Sequence, residues 1–244
     1  MALTPAPFDL RTLPGLEPVP AWPPASPPRP CLRGFPAGPA AVQALVLPPD
    51  PEPWIALLAP AASDDRRARA ARFRFRADAL RCLAAEALLR HALAERHGLP
   101  AAAIALETSP EGKPRLAGLP GIHFNLSHSG AWVLCAVHDG PVGVDVEEVR
   151  PRDPLTAGSV MTPEELRRFR SLPAPAATAY FYRLWTLKES LLKAMGTGLG
   201  LDPRGIRLDF RGLGITAAHA TVPGARWRLL ELPLPDDARA AICF

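Results

Sequence analysis

Apolar residues recur at helical spacing in one stretch above all others. Leu80, Leu83, Ala84, Ala87, Leu88, His91 and Ala92 share one face of a 3.6-residue period, and Gly98 follows where a helix would close. Upstream, Ser63 before Asp64 and Asp65 makes an N-cap with a negative first turn and predicts a helix through Arg72. Residues 41–47 predict a short apolar strand, and the prolines of 48–53 interrupt the chain beyond it. Residues 104–107, 123–125, 132–137 and 142–147 predict a sheet for the long helix to pack on, with Asp139-Gly140 marking a hairpin between the last two. In the second half Thr162, Pro163 and Glu165 read as cap, first helical residue and capping-box acid. A longer helix runs over 176–195 and is closed by Gly196 and Gly198. Strands are expected at 204–210, 215–220, 226–232 and 238–244. Each half thus reads as helices followed by antiparallel strands. The pattern predicts an α+β fold built as a pseudo-twofold pair of similar halves, residues 41–140 and 141–244, after a proline-rich arm over residues 1–40. A faint echo between 132–137 and 240–244 accompanies the pairing.

Composition narrows this only a little. At 244 residues with 48% apolar and 21% charged side chains, the chain can bury a core without disulfides or structural metal. A net charge of +4, carried mostly by arginine, favours anionic ligands. Cys31, Cys82, Cys135 and Cys243 are widely spaced, form no paired motif and mostly sit in apolar runs, as buried thiols do in a reducing compartment. No basic segment leads into an apolar one at the start, and no apolar run approaches about 18 residues, so a cytoplasmic location and no membrane partner are expected.

Candidate chemistry begins at Gly143-Val144-Asp145-Val146-Glu147, where strand alternation puts Asp145 and Glu147 on one face and the valines on the other. Such a pair is either a wet strand edge or part of a cation site. The helix carrying Trp185, Lys188, Glu189 and Lys193 adds acid and bases within two turns. Its flank, Tyr180-Phe181-Tyr182-Arg183-Leu184-Trp185, is aromatic in a chain with 7% aromatic residues, so burial of a Lys-Glu-Lys cluster is expected. Upstream, the strand over 123–129 runs into a polar corner at Ser127, His128 and Ser129 that offers donors to phosphate oxygens. Arg66, Arg67, Arg69, Arg72, Arg74, Arg76 and Arg81 form a basic run, read either as a solvated face or as a nucleic-acid patch.

Taken in order, Arg72-Phe73, the helix to Arg90, Gly112-Lys113-Pro114, Phe124 to Ser129, Gly143 to Glu147 and Trp185 to Lys193 resemble the 4′-phosphopantetheinyl transferases of the Sfp type over roughly residues 60–210. The resemblance implies transfer of phosphopantetheine from coenzyme A to a serine of apo acyl, peptidyl or aryl carrier proteins of polyketide and nonribosomal peptide synthases, with release of 3′,5′-ADP. It implies Mg²⁺ on Asp145, Glu147 and Glu189, with the metal also holding the coenzyme A diphosphate. By the same resemblance Ser127 and His128 contact the diphosphate and Lys193 neutralises it, while Lys188 orients the site or assists proton transfer. Gly112, Lys113 and Pro114 become the adenine-side wall, and Arg66, Arg69 and Arg81 surround the 3′-phosphate. Glu165 matches an acid that activates the serine, beside its reading as a capping-box acid. A monomer without a nucleic-acid partner is expected. Cys82 and Met161 depart from the family pattern, in which a hydroxyl residue and an aromatic are usual. Two other readings stand beside this one: a different Mg²⁺-dependent phosphoryl or nucleotidyl transferase, or a basic nucleic-acid-binding protein.

Overall fold

The computed structural model describes residues 17–18, 31–37, 39–100, 103–110, 112–151, 154–196, 200–210, 217–222 and 225–244. From the N-terminus the elements are β1 (Glu17–Pro18), β2 (Cys31–Ala37), β3 (Ala40–Val46), α1 (Glu52–Leu58), α2 (Asp64–Ala71) and α3 (Arg76–His97). Next come β4 (Leu106–Thr108), β5 (Pro114–Leu116), β6 (His123–Ser129), β7 (Trp132–His138) and β8 (Gly143–Glu148). The chain continues through α4 (Pro154–Gly158), α5 (Pro163–Ser171), α6 (Ala174–Met195), β9 (Leu208–Asp209), β10 (Ala217–Val222), β11 (Ala225–Leu232) and β12 (Ala238–Cys243).

Two five-stranded sheets, ordered β1-β2-β3-β7-β6 and β8-β12-β11-β10-β9, pack face to face. Strand alternation explains the layering. On β7, Trp132, Leu134 and Ala136 join Val42, Ala44 and Val46 in the core between the sheets, where they meet Val144, Val146, Ala240 and Ile242. The intervening Val133, Cys135 and Val137 face outward onto Leu80, Leu83, Leu88 and other residues of α3. On the far side Leu187, Leu191 and Leu192 of α6 cover Ala218, Leu229, Ala241 and Cys243. The layers are therefore helix, sheet, sheet, helix. The halves correspond element by element: β3, α3, β6 and β7 match β8, α6, β11 and β12, in the equivalent strand orders β3-β7-β6 and β8-β12-β11. Both α3 and α6 span 22 residues and close on a left-handed glycine, Gly98 at φ 63° and Gly196 at φ 73°. The expected pair of similar α+β halves is present.

Several local expectations are corrected. Asp139-Gly140 makes no hairpin, because β7 pairs with β3 and β6 whereas β8 pairs with β12. The dipeptide carries the chain from one sheet to the other. In place of the strand expected at 104–107 stands β4 (Leu106–Thr108), which among the described residues pairs only with β5, outside both large sheets. Residues 204–210 contain a short 3₁₀ turn and only the two-residue strand β9. The prolines of 48–53 do not merely interrupt: they lead into α1, which begins with proline in its first turn, where the missing N–H costs nothing. Within the arm over residues 1–40, Cys31–Ala37 is a strand paired along its length with β3, and most of the rest of the arm, like Gly198, lies outside the described residues.

Candidate active site

The site grows from the contact of β8 with α6. A Cβ added at Gly143 would lie 2.0 Å from the Ser190 carbonyl oxygen and 2.4 Å from the Ala194 nitrogen. Glycine at this position lets the helix backbone rest on the strand. Because Val144 and Val146 fill the core between the sheets, Asp145 and Glu147 face α6, which presents Glu189 and Lys193 one turn apart. Lys193 Nζ donates to Asp145 Oδ1 at 2.7 Å and to Ser127 Oγ at 2.9 Å. Ser127 Oγ in turn donates to Asp145 Oδ1 at 3.0 Å. Asp145 is buried and its Oδ2 has no hydrogen-bond partner. Glu147 is held at both oxygens, by Trp185 Nε1 at 3.1 Å and by Ser129 Oγ at 3.0 Å.

The charges of this corner act on one another. Burial raises the Asp145 carboxyl above the ordinary range; Lys193 opposes the rise and Glu147 adds to it. Burial raises Glu189 as well, followed by the negative charge of Asp145, with Glu147 contributing in the same direction. Three carboxylates are thus gathered around one amine. His128 stands at the rim of the same corner. Desolvation, then the charge of Arg81, with Lys193 adding to it, holds its imidazole below the usual histidine range. Arg81 donates to the Gly130 carbonyl at 2.7 Å and pairs with Asp78 at 2.5 Å. The structure therefore brings together Ser127, His128, Arg81, Asp145, Glu147, Glu189 and Lys193.

The remaining expected residues sit elsewhere. The expected Lys-Glu-Lys cluster divides, because Lys188 points away from Glu189. Fully buried, it donates to the carbonyls of Val160 at 2.9 Å and Pro203 at 3.1 Å and to Glu165 Oε2 at 2.6 Å. Those three acceptors use all three of its hydrogens. Glu165 Oε2 also accepts the Thr162 N–H at 2.8 Å, and Thr162 Oγ1 accepts the Glu165 N–H, completing the capping box of α5. Arg66 is committed to buried Glu86 (3.3 Å), which also accepts from Arg90 and from the Ser63 N–H and hydroxyl. Arg69 is exposed on α2. Gly112, at φ 86°, shapes the β4–β5 turn. Lys113 and Pro114 line a cleft of about 590 Å³ with Ser109, Phe124, Met195 and Gly196. The Lys113 amine spans this cleft and donates to the carbonyls of Val142 (3.1 Å), Lys193 (2.6 Å) and Ala194 (3.3 Å). Burial lowers it to about 8. It is the clasp between the β4–β5 hairpin and the C-terminal end of α6. The sequence alone did not single out Asn125, Ser129 or the Trp185 indole as partners of β8. The period-two polar series Asn125, Ser127, Ser129 was the available signal.

No three acids, histidines or cysteines among the described residues close into a ready metal cage. The donor set still suits a hard divalent cation. Carboxylate oxygens are the ligands Mg²⁺ takes, and Asp145 Oδ2 is a buried acceptor lacking a donor.

Acids, an amine and hydroxyls thus converge where the two halves of an α+β fold meet. Residues 141–243 match the family model for the 4′-phosphopantetheinyl transferase superfamily, and residues 48–139 match that for 4′-phosphopantetheinyl transferase, N-terminal. The chain is 45% identical over 157 residues to 4′-phosphopantetheinyl transferase psf-1 of Bacillus pumilus, covering 64% of this chain and 67% of that protein. It is 36% identical to 4′-phosphopantetheinyl transferase Sfp of Bacillus subtilis (62% and 68% covered), and 35% identical to 4′-phosphopantetheinyl transferase HetI of Nostoc (79% and 82% covered). The chain belongs to the 4′-phosphopantetheinyl transferase superfamily, and its activity is phosphopantetheinyl transfer.

Proposed function

We propose that the chain transfers 4′-phosphopantetheine from coenzyme A to a serine of an apo acyl, peptidyl or aryl carrier protein, with Mg²⁺ held by Asp145, Glu147 and Glu189. The observation that carries this reading is the convergence of Lys193, Ser127 and the half-satisfied, buried Asp145 at the seam of the two halves. Coenzyme A would lie between residues 41–140 and 141–244, its adenine side against Gly112, Lys113 and Pro114 and its 3′-phosphate toward Arg66, Arg69 and Arg81. When bound, Mg²⁺ would neutralise the diphosphate and polarise its oxygens.

The chain's own residues do the rest. In this reading Ser127 and His128 contact the diphosphate, and Lys193 carries positive charge to where negative charge develops on the leaving phosphate. The serine oxygen bonds to the β-phosphorus, the bond from that phosphorus to the bridging oxygen breaks, and 3′,5′-ADP leaves with the electron pair. Glu165 is assigned the serine proton, with Lys188 fixing the direction of its carboxylate. Service to polyketide and nonribosomal peptide synthases, action as a monomer and a cytoplasmic location belong to the same proposal. The buried free thiols Cys82, Cys135 and Cys243 support that location. Among the described residues no helix is long and apolar enough to cross a membrane.

Incubation with coenzyme A, Mg²⁺ and several apo carrier proteins, read by intact mass, tests the reading. The expected result is the phosphopantetheine mass on a serine, lost on chelation and in Glu147→Gln with the fold retained. No mass gain on any carrier would refute it.

A further inference from the structure

The two sheets meet at a seam that contains no main-chain ladder. Strand β6 is the edge of the first sheet and β8 the edge of the second. Along the seam, side-chain oxygens of alternate β6 residues accept from backbone N–H groups of alternate β8 residues. Asn125 Oδ1 accepts from Val144 at 2.9 Å, Ser127 Oγ from Val146 at 3.3 Å and Ser129 Oγ from Glu148 at 3.0 Å. Period-two alternation on both strands keeps the series in register.

Ser129 makes a second bond that gives this seam a consequence for the site. Its hydroxyl accepts the Glu148 N–H, so its single hydrogen points to its other partner, Glu147 Oε2, at 3.0 Å. The opposite oxygen of Glu147 is taken by Trp185 Nε1 at 3.1 Å. The carboxylate is therefore fixed between a hydroxyl of the N-terminal half and an indole of the C-terminal half. The next residue, Gly130, lies against the Glu148 side chain, where an added Cβ would be 2.9 Å from the carboxyl.

We propose that Ser129 is a positioning residue for cation binding: its hydroxyl orients Glu147 and couples the metal site to the juxtaposition of the two halves. This rests on the proposed role of Glu147 as a metal ligand. Outer partners that orient a ligating carboxylate are typically worth roughly 10–100-fold in metal affinity.

The test compares Ser129→Ala, Ser129→Thr and Ser129→Val with the wild-type chain. Thr and Val differ only by hydroxyl against methyl, so the pair isolates the hydrogen bond even where Ala perturbs packing. Two quantities are read for each folded variant: the Mg²⁺ concentration giving half-maximal transfer, and Mn²⁺ binding to the coenzyme A complex by calorimetry. The Trp185 indole on Glu147 supplies an additional fluorescence signal, assigned by its loss in Trp185→Phe. The expected result is a rise of about tenfold or more in the half-saturating metal concentration for Ala and Val. The maximal rate at saturating metal should stay near wild type, and Thr should restore the wild-type requirement. Unchanged metal binding in both Ala and Val overturns the proposal, as does a fall in maximal rate with metal affinity intact. If wild-type transfer needs no divalent cation, or Glu147→Gln is fully active, the metal assignment itself fails, which is a distinct outcome.

Discussion

Replacing Gly143 with alanine tests whether the seat of α6 on β8 sets the site. The added Cβ would meet the Ser190 oxygen at 2.0 Å, the Ala194 nitrogen at 2.4 Å and the Lys193 carbonyl carbon at 2.9 Å. All three are backbone atoms, so no rotamer change relieves the clash. Reaching ordinary contact near 3.4 Å requires strand and helix to part by about 1.4 Å. Lys193 donates to Asp145 at 2.7 Å, and a shift of that size takes the pair beyond hydrogen-bond range. Overpacking typically costs about 1–3 kcal/mol, and a backbone clash belongs at the upper end. For a chain of this length about 3 kcal/mol lowers Tm by roughly 6–12 °C. A displacement near 1 Å at a reacting centre costs on the order of 100-fold in rate. The assays are thermal unfolding and transfer to an apo carrier protein followed by intact mass. Gly121→Ala is the control, since nothing lies within 4 Å of its added Cβ. A Gly143→Ala variant with wild-type Tm and wild-type rate would refute the argument, because it would mean that α6 does not rest on β8 as described.

Two further outcomes concern groups beside the site. Lys188→Met leaves Glu165 without its amine and takes a donor from the Val160 and Pro203 carbonyls, of which Pro203 keeps the Ile206 N–H, and breaking such a buried pair costs about 3–5 kcal/mol. Urea unfolding should show that loss in the single variant and recover part of it in Lys188→Met/Glu165→Gln; unchanged stability with a lost rate would instead make Lys188 a group acting on substrate. The Lys113 amine is held near 8 in the folded chain, against about 10.4 in an unfolded one. Between those values the unfolded state binds the extra proton, so this group's contribution to stability is absent below about pH 8 and grows as pH rises toward 10.4. The groups interacting with it are Cys243 and His123. Urea titrations at pH 7.5 and 9.5 should show a more positive pH slope for wild type than for Lys113→Met, and equal slopes would reject the assignment.

The helices were legible because their signals are local. Ser63, Thr162, Gly98 and Gly196 act within one turn of themselves, and each stands where its chemistry placed it. Strand partners were not legible, since β8 pairs with β12 from the far end of the chain while the Asp139-Gly140 signal spoke for its nearer neighbour. The short helix α1 was hidden because prolines that break a helix interior are tolerated at its start. At the site, the spacing of Asp145 and Glu147 fixed a shared face whatever the strand paired with. Lys188 was grouped with Glu189, yet one residue of separation is about 100° of helix rotation, enough to send the two side chains to opposite surroundings. The hydroxyl series on β6 was read for its affinity to phosphate, whereas its alternation spoke for a partner strand.

That side-chain seam has a consequence for how the two halves come apart. The amides of Val144, Val146 and Glu148 are protected by groups that belong to the other half, not by a neighbouring strand of their own sheet. Their hydrogen exchange is therefore governed by separation of the halves, whereas exchange of the alternate amides at Asp145 and Glu147 follows opening of the second sheet itself. One six-residue strand thus carries two interleaved clocks, and a ligand that closes the cleft should slow the first set without altering the second.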